Sequence, residues 1–327
     1  MLNVVEQAVA PLYRCFRRLK NRSLNLVDPP VIVLAYHRVT RLQTDPHQLA
    51  VTPDNFRAQM QYLRRNCRCL RFEDNWTGLR EPAVVVTFDD GYADNLYQAL
   101  PLLEEAELPA TFFISSGILG SSDEFWSDDL ERLLLAEGDR PPWFVLQDRE
   151  YGGSWPTASR EQCLLLHDRL HRCLLMLKAP RREDWLEQLR RWSGVERTGR
   201  DAYRVLTREE VRELAASPQV TVGSHGVTHT PLALLAEGVQ RREILQSKYA
   251  LEELVGREVT VFSYPFGGRG QYNEATRRLC REAGFRRAVT TLPGQVHRWT
   301  DPWQLPRQLV RNWDLETFAA MMERFRV

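Results

Sequence analysis

Two adjacent carboxylates, Asp89 and Asp90, end the run Val84-Val-Val-Thr-Phe-Asp-Asp-Gly-Tyr92. The β-branched start of that run marks a strand buried on both faces. Successive strand side chains point to opposite faces. Two neighbouring acids therefore share a pocket only if the backbone turns where the strand ends, and Gly91 permits such a turn because it lacks Cβ. Taken alone, Asp-Asp-Gly also fits a plain turn with a helix N-cap. A second pair changes the weighing. His225 and His229 stand four residues apart in Ser224-His-Gly-Val-Thr-His229. On a helical turn that spacing puts their Cβ atoms about 5–6 Å apart, within reach of one metal ion. Two imidazoles and one carboxylate make a three-ligand set with positions open for water and substrate. The other carboxylate is then free to act as a base. An HxxxH is weak by itself; beside a second strand ending in Asp-Asp it points to a hydrolytic metal centre.

These residues need strands to position them. Val31-Ile-Val-Leu-Ala-Tyr-His37 reads as the first strand, followed by a helix opened by Thr52 as N-cap and Pro53. Residues 83–88 form the second strand, and a helix over about 93–106 is expected to kink at Pro101. Ala110–Ile114, Val220–Ser224, Val259–Ser263, Ala288–Thr291 and about 308–311 read as further strands. Helices over 208–216, 236–255, 273–283 and 314–325 alternate with them. Thr207 and Glu210 make a capping box, and Gly256 stops the 236–255 helix. Such alternation predicts an α/β fold, a distorted (β/α)7-type barrel with its site at the C-terminal ends of the strands. About 120–206 breaks the rhythm and reads as a helical insertion, with helices over 124–136, 160–177 and 181–193. His167 and His171 lie i, i+4 on the second of these and read as surface or partly buried histidines. Five Trp of the insertion, 126, 143, 155, 185 and 192, read mainly as core. The barrel domain is expected over 30–327, preceded by a helical segment over 1–29.

Composition narrows the function classes. Lys+Arg is 44 and Asp+Glu 43, for a net charge of +1, so nothing favours nucleic acid. The six Cys contain no CxxC pair and read as reduced thiols. No stretch of about 18 apolar residues exists to span a bilayer, and the basic residues of the N-terminus follow its short apolar run rather than preceding it. A cytoplasmic protein is expected. Residues 1–22 read as an amphipathic helix, either packed on the barrel or in peripheral contact with a membrane.

Together, Thr87-Phe-Asp-Asp-Gly91, Ser224-His-Gly-Val-Thr-His229 and Ser263-Tyr-Pro-Phe-Gly267 resemble the polysaccharide deacetylase family, also called the NodB-homology or carbohydrate esterase 4 family. The likeness covers roughly 30–119 and 206–313. It implies removal of N-acetyl, sometimes O-acetyl, groups from a sugar with a divalent metal, zinc first and cobalt, nickel or manganese as alternatives. It implies Asp89 as general base, Asp90, His225 and His229 as metal ligands, and the backbone N–H of Phe266 as an oxyanion donor. The chain also departs from the usual pattern. Ser263 stands where an Arg normally orients the base, and Arg307 resembles the Arg of a subgroup whose motifs are rearranged along the chain. In that subgroup a Tyr-His like Tyr36-His37 takes the place of the general acid; His297 is the weaker candidate.

The leading expectation is a sugar deacetylase acting on carbon–nitrogen bonds of an acetylated glycan, with a nucleotide- or lipid-linked precursor favoured by the cytoplasmic reading. Two other classes compete with it: an inactive carbohydrate-binding or assembly module, and a metal hydrolase of non-sugar amides.

Overall fold

The computed structural model describes residues 23–326; the helix expected over 1–22 lies outside the described residues. The strands are β1 (Val31–Tyr36), β2 (Arg38–Val39), β3 (Ala50–Val51), β4 (Arg68–Cys69), β5 (Ala83–Phe88), β6 (Ala110–Ile114), β7 (Trp143–Leu146), β8 (Gly153–Pro156), β9 (Val220–Ser224), β10 (Val261–Ser263), β11 (Arg287–Val289) and β12 (Gln308–Leu309). Eight of them form one sheet in the order β11-β10-β9-β6-β5-β1-β12, with β4 against β5. Its pairings are all parallel. An isolated parallel bridge between Val289 and Leu305 brings the β11 edge to the segment leading into β12. The sheet thus curls into a barrel-like α/β fold.

Both faces of the sheet are buried, and strand parity sorts the side chains. Val31, Val33, Val85, Phe113, Val261 and Val289 fill the inside. Ile32, Leu34, Val84, Val86, Phe88, Phe112 and Phe262 meet the surrounding helices. Continued along β5, the inner parity reaches Thr87 and then Asp89. Along β1 it reaches His37, along β9 His225, and along β10 Ser263. Four polar residues at the C-terminal ends thus face one interior because their strands are in step.

Helix ends follow local chemistry. Thr52, Thr207, Asn273 and Asp314 each accept a backbone N–H from the third residue on. Gly256 closes the Glu237–Val255 helix in the left-handed conformation. The helix expected over 93–106 divides instead of kinking. A π-helical turn, Asn95–Ala99, runs into an α-helix, Leu100–Glu105, with Pro101 in its first turn. Proline has no N–H to give the preceding turn, and the wider turn absorbs that loss.

Between β6 and β9, helices Trp126–Leu135, Arg160–Leu175 and Ala179–Ser193 pack around their own apolar cluster, including Leu134, Leu166, Leu174, Trp185 and Leu189. The sequence reading put only helices and loops here. The structure adds an antiparallel hairpin, β7–β8. Phe144 and Leu146 point in while Trp143 and Val145 stay exposed, a period-2 pattern over four residues, too short to distinguish from a helix turn by pattern alone.

Strand β9 carries one tight constraint. A Cβ on Gly223 would lie 2.5 Å from Phe113 Cδ1 and 3.0 Å from Val261 Cγ2. Gly223→Ala is therefore expected to destabilise the barrel by about 1–3 kcal/mol through overpacking. Urea unfolding checks this; an unchanged midpoint would show that the interior can yield there.

Candidate active site

Asp89 lies 2% exposed at the end of β5, facing the barrel interior. Arg307, wholly buried just before β12, grips it with both arms: Nη1 donates to Oδ1 at 2.7 Å and Nη2 to Oδ2 at 2.6 Å. Arg307 Nε donates to the Thr290 carbonyl, Nη1 also to Thr87 Oγ1, and Nη2 to Ser263 Oγ. Ser263 Oγ in turn donates to Asp89 Oδ2 at 3.3 Å. The small side chain at 263 leaves room for a guanidinium arriving from another strand. Burial pushes the Asp89 carboxyl up, but Arg307, with His225 and His37, holds it below its usual range. Asp89 is therefore an ionised, oriented carboxylate.

Asp90 would face outward if the strand continued. Its φ of 77° turns it back, and Gly91 follows at 87°. Asp90 Oδ1 then lies 3.4 Å from His225 Nε2 and 3.2 Å from His229 Nε2. The two histidines do not share a helical turn, as their spacing suggested. They sit on a loop bent by Gly226 at φ 77° and His229 at 49°. Glu243, on the Glu237–Val255 helix, holds the loop by accepting from the N–H groups of Val227 and Thr228 at 2.9 Å and from Thr228 Oγ1 at 3.0 Å. No sequence motif pointed to Glu243, because its role is to anchor backbone fifteen and sixteen residues away across a loop of irregular geometry.

The donors of these three residues lie within 4.8 Å of one another. His225 Nδ1 is 2.7 Å from the Ser263 carbonyl, which can only accept. The proton therefore sits on Nδ1, and Nε2 presents a lone pair toward Asp90. A lone pair facing a carboxylate at this distance is repulsive unless a proton or cation stands between them. Burial lowers the His225 pKa, and the opposing pull of Asp89 and Asp90 leaves it raised. Burial likewise pushes Asp90 up, and His229, His225 and His37 together hold it well below the usual carboxylate range. Two nitrogens and one oxygen, with the tautomer of His225 set by a backbone carbonyl, suit a divalent metal.

These groups line a cavity of about 300 Å³ with His37, Tyr92, Phe125, Asp128 and Phe266 among its walls. His37 continues β1 into it, and burial lowers its pKa against the pull of Asp90 and Asp89. Its Nδ1 is buried with no partner. Phe266 has φ 62°, its carbonyl accepts from Thr291 Oγ1 at 2.7 Å, and its ring lies 4.7 Å from that of His229. Its N–H has no acceptor among the described residues. His297 is elsewhere. It bonds the Asp28 carbonyl at 3.0 Å beside Val296, which bridges to Val31 at the opposite end of β1 from His37. Asp128, not singled out from sequence, accepts from Tyr92 OH at 2.6 Å, and burial raises its pKa to about 7 despite the charge of Arg38.

A curled parallel sheet with a buried Asp-His-His centre at the C-terminal strand ends is the architecture of a barrel hydrolase. The polysaccharide deacetylase family model matches residues 77–138 and 187–288, half of the chain, and the chain belongs to that family of deacetylase enzymes. A putative polysaccharide deacetylase of Bacillus subtilis, YxkH, is 21% identical over 275 residues, which cover 81% of this chain and 66% of that protein. The alignment thus spans just under two thirds of the relative's length. The Streptococcus pyogenes deacetylase PplD, solved in complex with acetate, superposes with a TM-score of 0.59 at 17% identity, over 90% of this chain and 99% of that one. IcaB from Ammonifex degensii superposes with a TM-score of 0.58 at 20% identity, over 92% and 98%. At these identities the two structures share the fold.

The ion pair generates a pH test. Asp89 has a depressed pKa, so its contribution to folding is complete above the unfolded-state value of about 3.9 and is lost as pH falls below it. Arg307→Met strands a buried charge and is expected to cost about 3–5 kcal/mol at pH 7. That deficit should narrow on acidification, because in the variant burial acts on Asp89 without Arg307 to oppose it, so the stranded carboxylate takes up a proton at a pH where the wild-type pair is still charged. Denaturant unfolding of both proteins at pH 7 and pH 4 measures it; an equal deficit at both would disconnect Arg307 from the Asp89 charge.

Proposed function

We propose that this protein is a metal-dependent hydrolase that removes acetyl groups, N-acetyl foremost, from a carbohydrate. The observation that carries the reading is the convergence, in one cavity, of an Asp-His-His ligand set with an Arg-held carboxylate that is not needed as a ligand. Asp90, His225 and His229 would hold the ion, zinc first, with cobalt, nickel or manganese suited to the same donors. When bound, the metal supplies Lewis acidity that activates water and polarises the acetyl carbonyl.

The protein's own groups complete the chemistry. Asp89, kept ionised by Arg307, takes the proton of the attacking water. The free N–H of Phe266 faces the developing oxyanion, where a preorganised donor acts most strongly. His37, on the cavity wall at the end of β1, delivers a proton to the leaving amine. Its burial holds it neutral until the site has gained a proton. The substrate class is an acetylated glycan, with nucleotide- or lipid-linked precursors included. The sheet, its cavity and the family membership support this reading. Among the described residues no helix is long and apolar enough to cross a membrane.

Acetate release from acetylated chito-oligosaccharides is expected to vanish with chelator and return with zinc or cobalt. Asp89→Asn should lower turnover by about 10²–10⁴-fold while one metal per chain remains bound. His225→Ala should lose the metal itself. Full turnover in Asp89→Asn would remove it as the base.

A further inference from the structure

One side of the catalytic cavity is rich in donors that no protein group satisfies. Arg311 follows β12 and lines both the catalytic cavity and a neighbouring groove of about 510 Å³. Its Nη1 donates to the carbonyls of His47 and Gln48. Its Nη2 and Nε have no protein partner among the described residues, and no carboxylate lies within ion-pair distance. Asp45, which lines the same groove, is occupied by the N–H groups of Leu49 and Ala50 at 2.9 and 2.8 Å.

Beside Arg311 stand His47 and His171, both on the cavity wall, with rings 4.2 Å apart. His47 also meets His167 at 5.3 Å. The Trp126 ring stacks on His171 at 5.1 Å, and the Arg182 guanidinium lies over Trp126 at 5.2 Å. Buried nitrogens without a partner recur through this group: His47 Nε2, His167 Nε2, Trp126 Nε1 and Arg182 Nη1. His167 is 2% and Arg182 7% exposed, and Arg182 has no ion pair among the described residues. Unsatisfied buried donors are costly and few in folded proteins. Here they cluster on and behind the wall: Trp126 Nε1 and Arg182 Nη1 are donors, and His47 and His167 Nε2 donate when the ring proton sits there. The carboxylates of the cavity are engaged elsewhere: Asp89 with Arg307, Asp90 with the two histidines, Asp128 with Tyr92.

We infer that the wall formed by Arg311, His47 and His171, backed by Trp126 and Arg182, is a subsite for an anionic group, phosphate or carboxylate, carried by the substrate next to its acetylated sugar. The inference rests on the deacetylase reading for its link to turnover, but not for binding itself. Arg311 offers the planar pair of donors that matches both anions. Arg311 lines both the catalytic cavity and the neighbouring groove, so an anion held there lies beside the reacting centre, on the part of the substrate that extends into the groove.

Calorimetric titration of the full chain with inorganic phosphate and with glucuronate, at fixed ionic strength, tests it. Saturable binding of either is expected, and which of the two binds identifies the source. Arg311→Gln keeps a donor for the loop carbonyls and removes the charge; it should weaken binding at least tenfold, with Arg311→Lys restoring part of it. His225→Ala should bind the anion as the wild type does, which separates this subsite from the metal centre. No binding by the wild type, equal binding by Arg311→Gln, or loss in His225→Ala overturns the proposal. In turnover, N-acetylglucosamine 1-phosphate or a glucuronate-linked N-acetylglucosamine should show a KM at least tenfold below neutral chitotriose. Arg311→Gln should erase that preference, raising the KM of the anionic substrates at least tenfold more than that of chitotriose. Absence of acetate release from every substrate, with anion binding intact, would fail the deacetylase reading and leave the subsite standing.

Discussion

The ion pair between Arg307 and Asp89 is the contact on which the rest of the site depends. Removing two charges from water costs several kcal/mol per ion, and only good geometry with further hydrogen bonds offsets it. Here the guanidinium is bidentate on the carboxylate and also bonds Thr87, Ser263 and Thr290. Those partners come from β5, from β10 and from the residue after β11. One side chain therefore ties together strand ends at the seam where the curled sheet nearly closes. The same contacts keep Asp89 ionised and fix the side of the interior it faces.

Around that anchor the backbone is bent where it would rather be extended. Asp90, His229 and Phe266 all have positive φ, a conformation that costs about 1–3 kcal/mol each in residues other than glycine. Each lies on a different strand-end loop, and each turns a group into the same cavity. Neighbouring contacts hold the strain: Glu243 on the histidine loop and Thr291 on the Phe266 carbonyl. Local stability is exchanged for a site whose donors already point inward, the arrangement that electrostatic preorganisation requires.

The segment between β6 and β9 has its own apolar core and still takes part in the cavity. Phe125, Asp128 and His171 reach the wall from it. Trp126 lies 5.9 Å from Phe266, so the cavity wall at Phe266 packs against the insertion. Trp185, by contrast, is a core residue, 1% exposed, and Trp143 is 56% exposed. The tryptophans thus divide between core, site wall and surface instead of forming one sugar-stacking face.

By itself the sequence determined the strand–helix alternation, most helix caps, and the residues Asp89, Asp90, His225 and His229 as a possible centre. These are local signals: β-branched runs, capping boxes and the adjacency of acids and imidazoles at strand ends. The family resemblance also marked Ser263 as a departure and Arg307 as the candidate to fill it. Tertiary structure alone decided the rest. His37 and His297 were both candidates from sequence, His297 the weaker, and strand parity carries His37 into the cavity and leaves His297 at the far end of β1. The histidine loop is not helical, because Gly226 and Glu243 shape it through contacts that spacing does not encode. The hairpin β7–β8 and the divided helix at Pro101 were blurred for the same reason: four-residue patterns are degenerate, and packing resolves them. Asp128, Arg311 and the cluster around His171 acquire meaning only when segments distant in the chain meet. Burial, absent partners and shared cavities are properties of that meeting, and no local pattern records them.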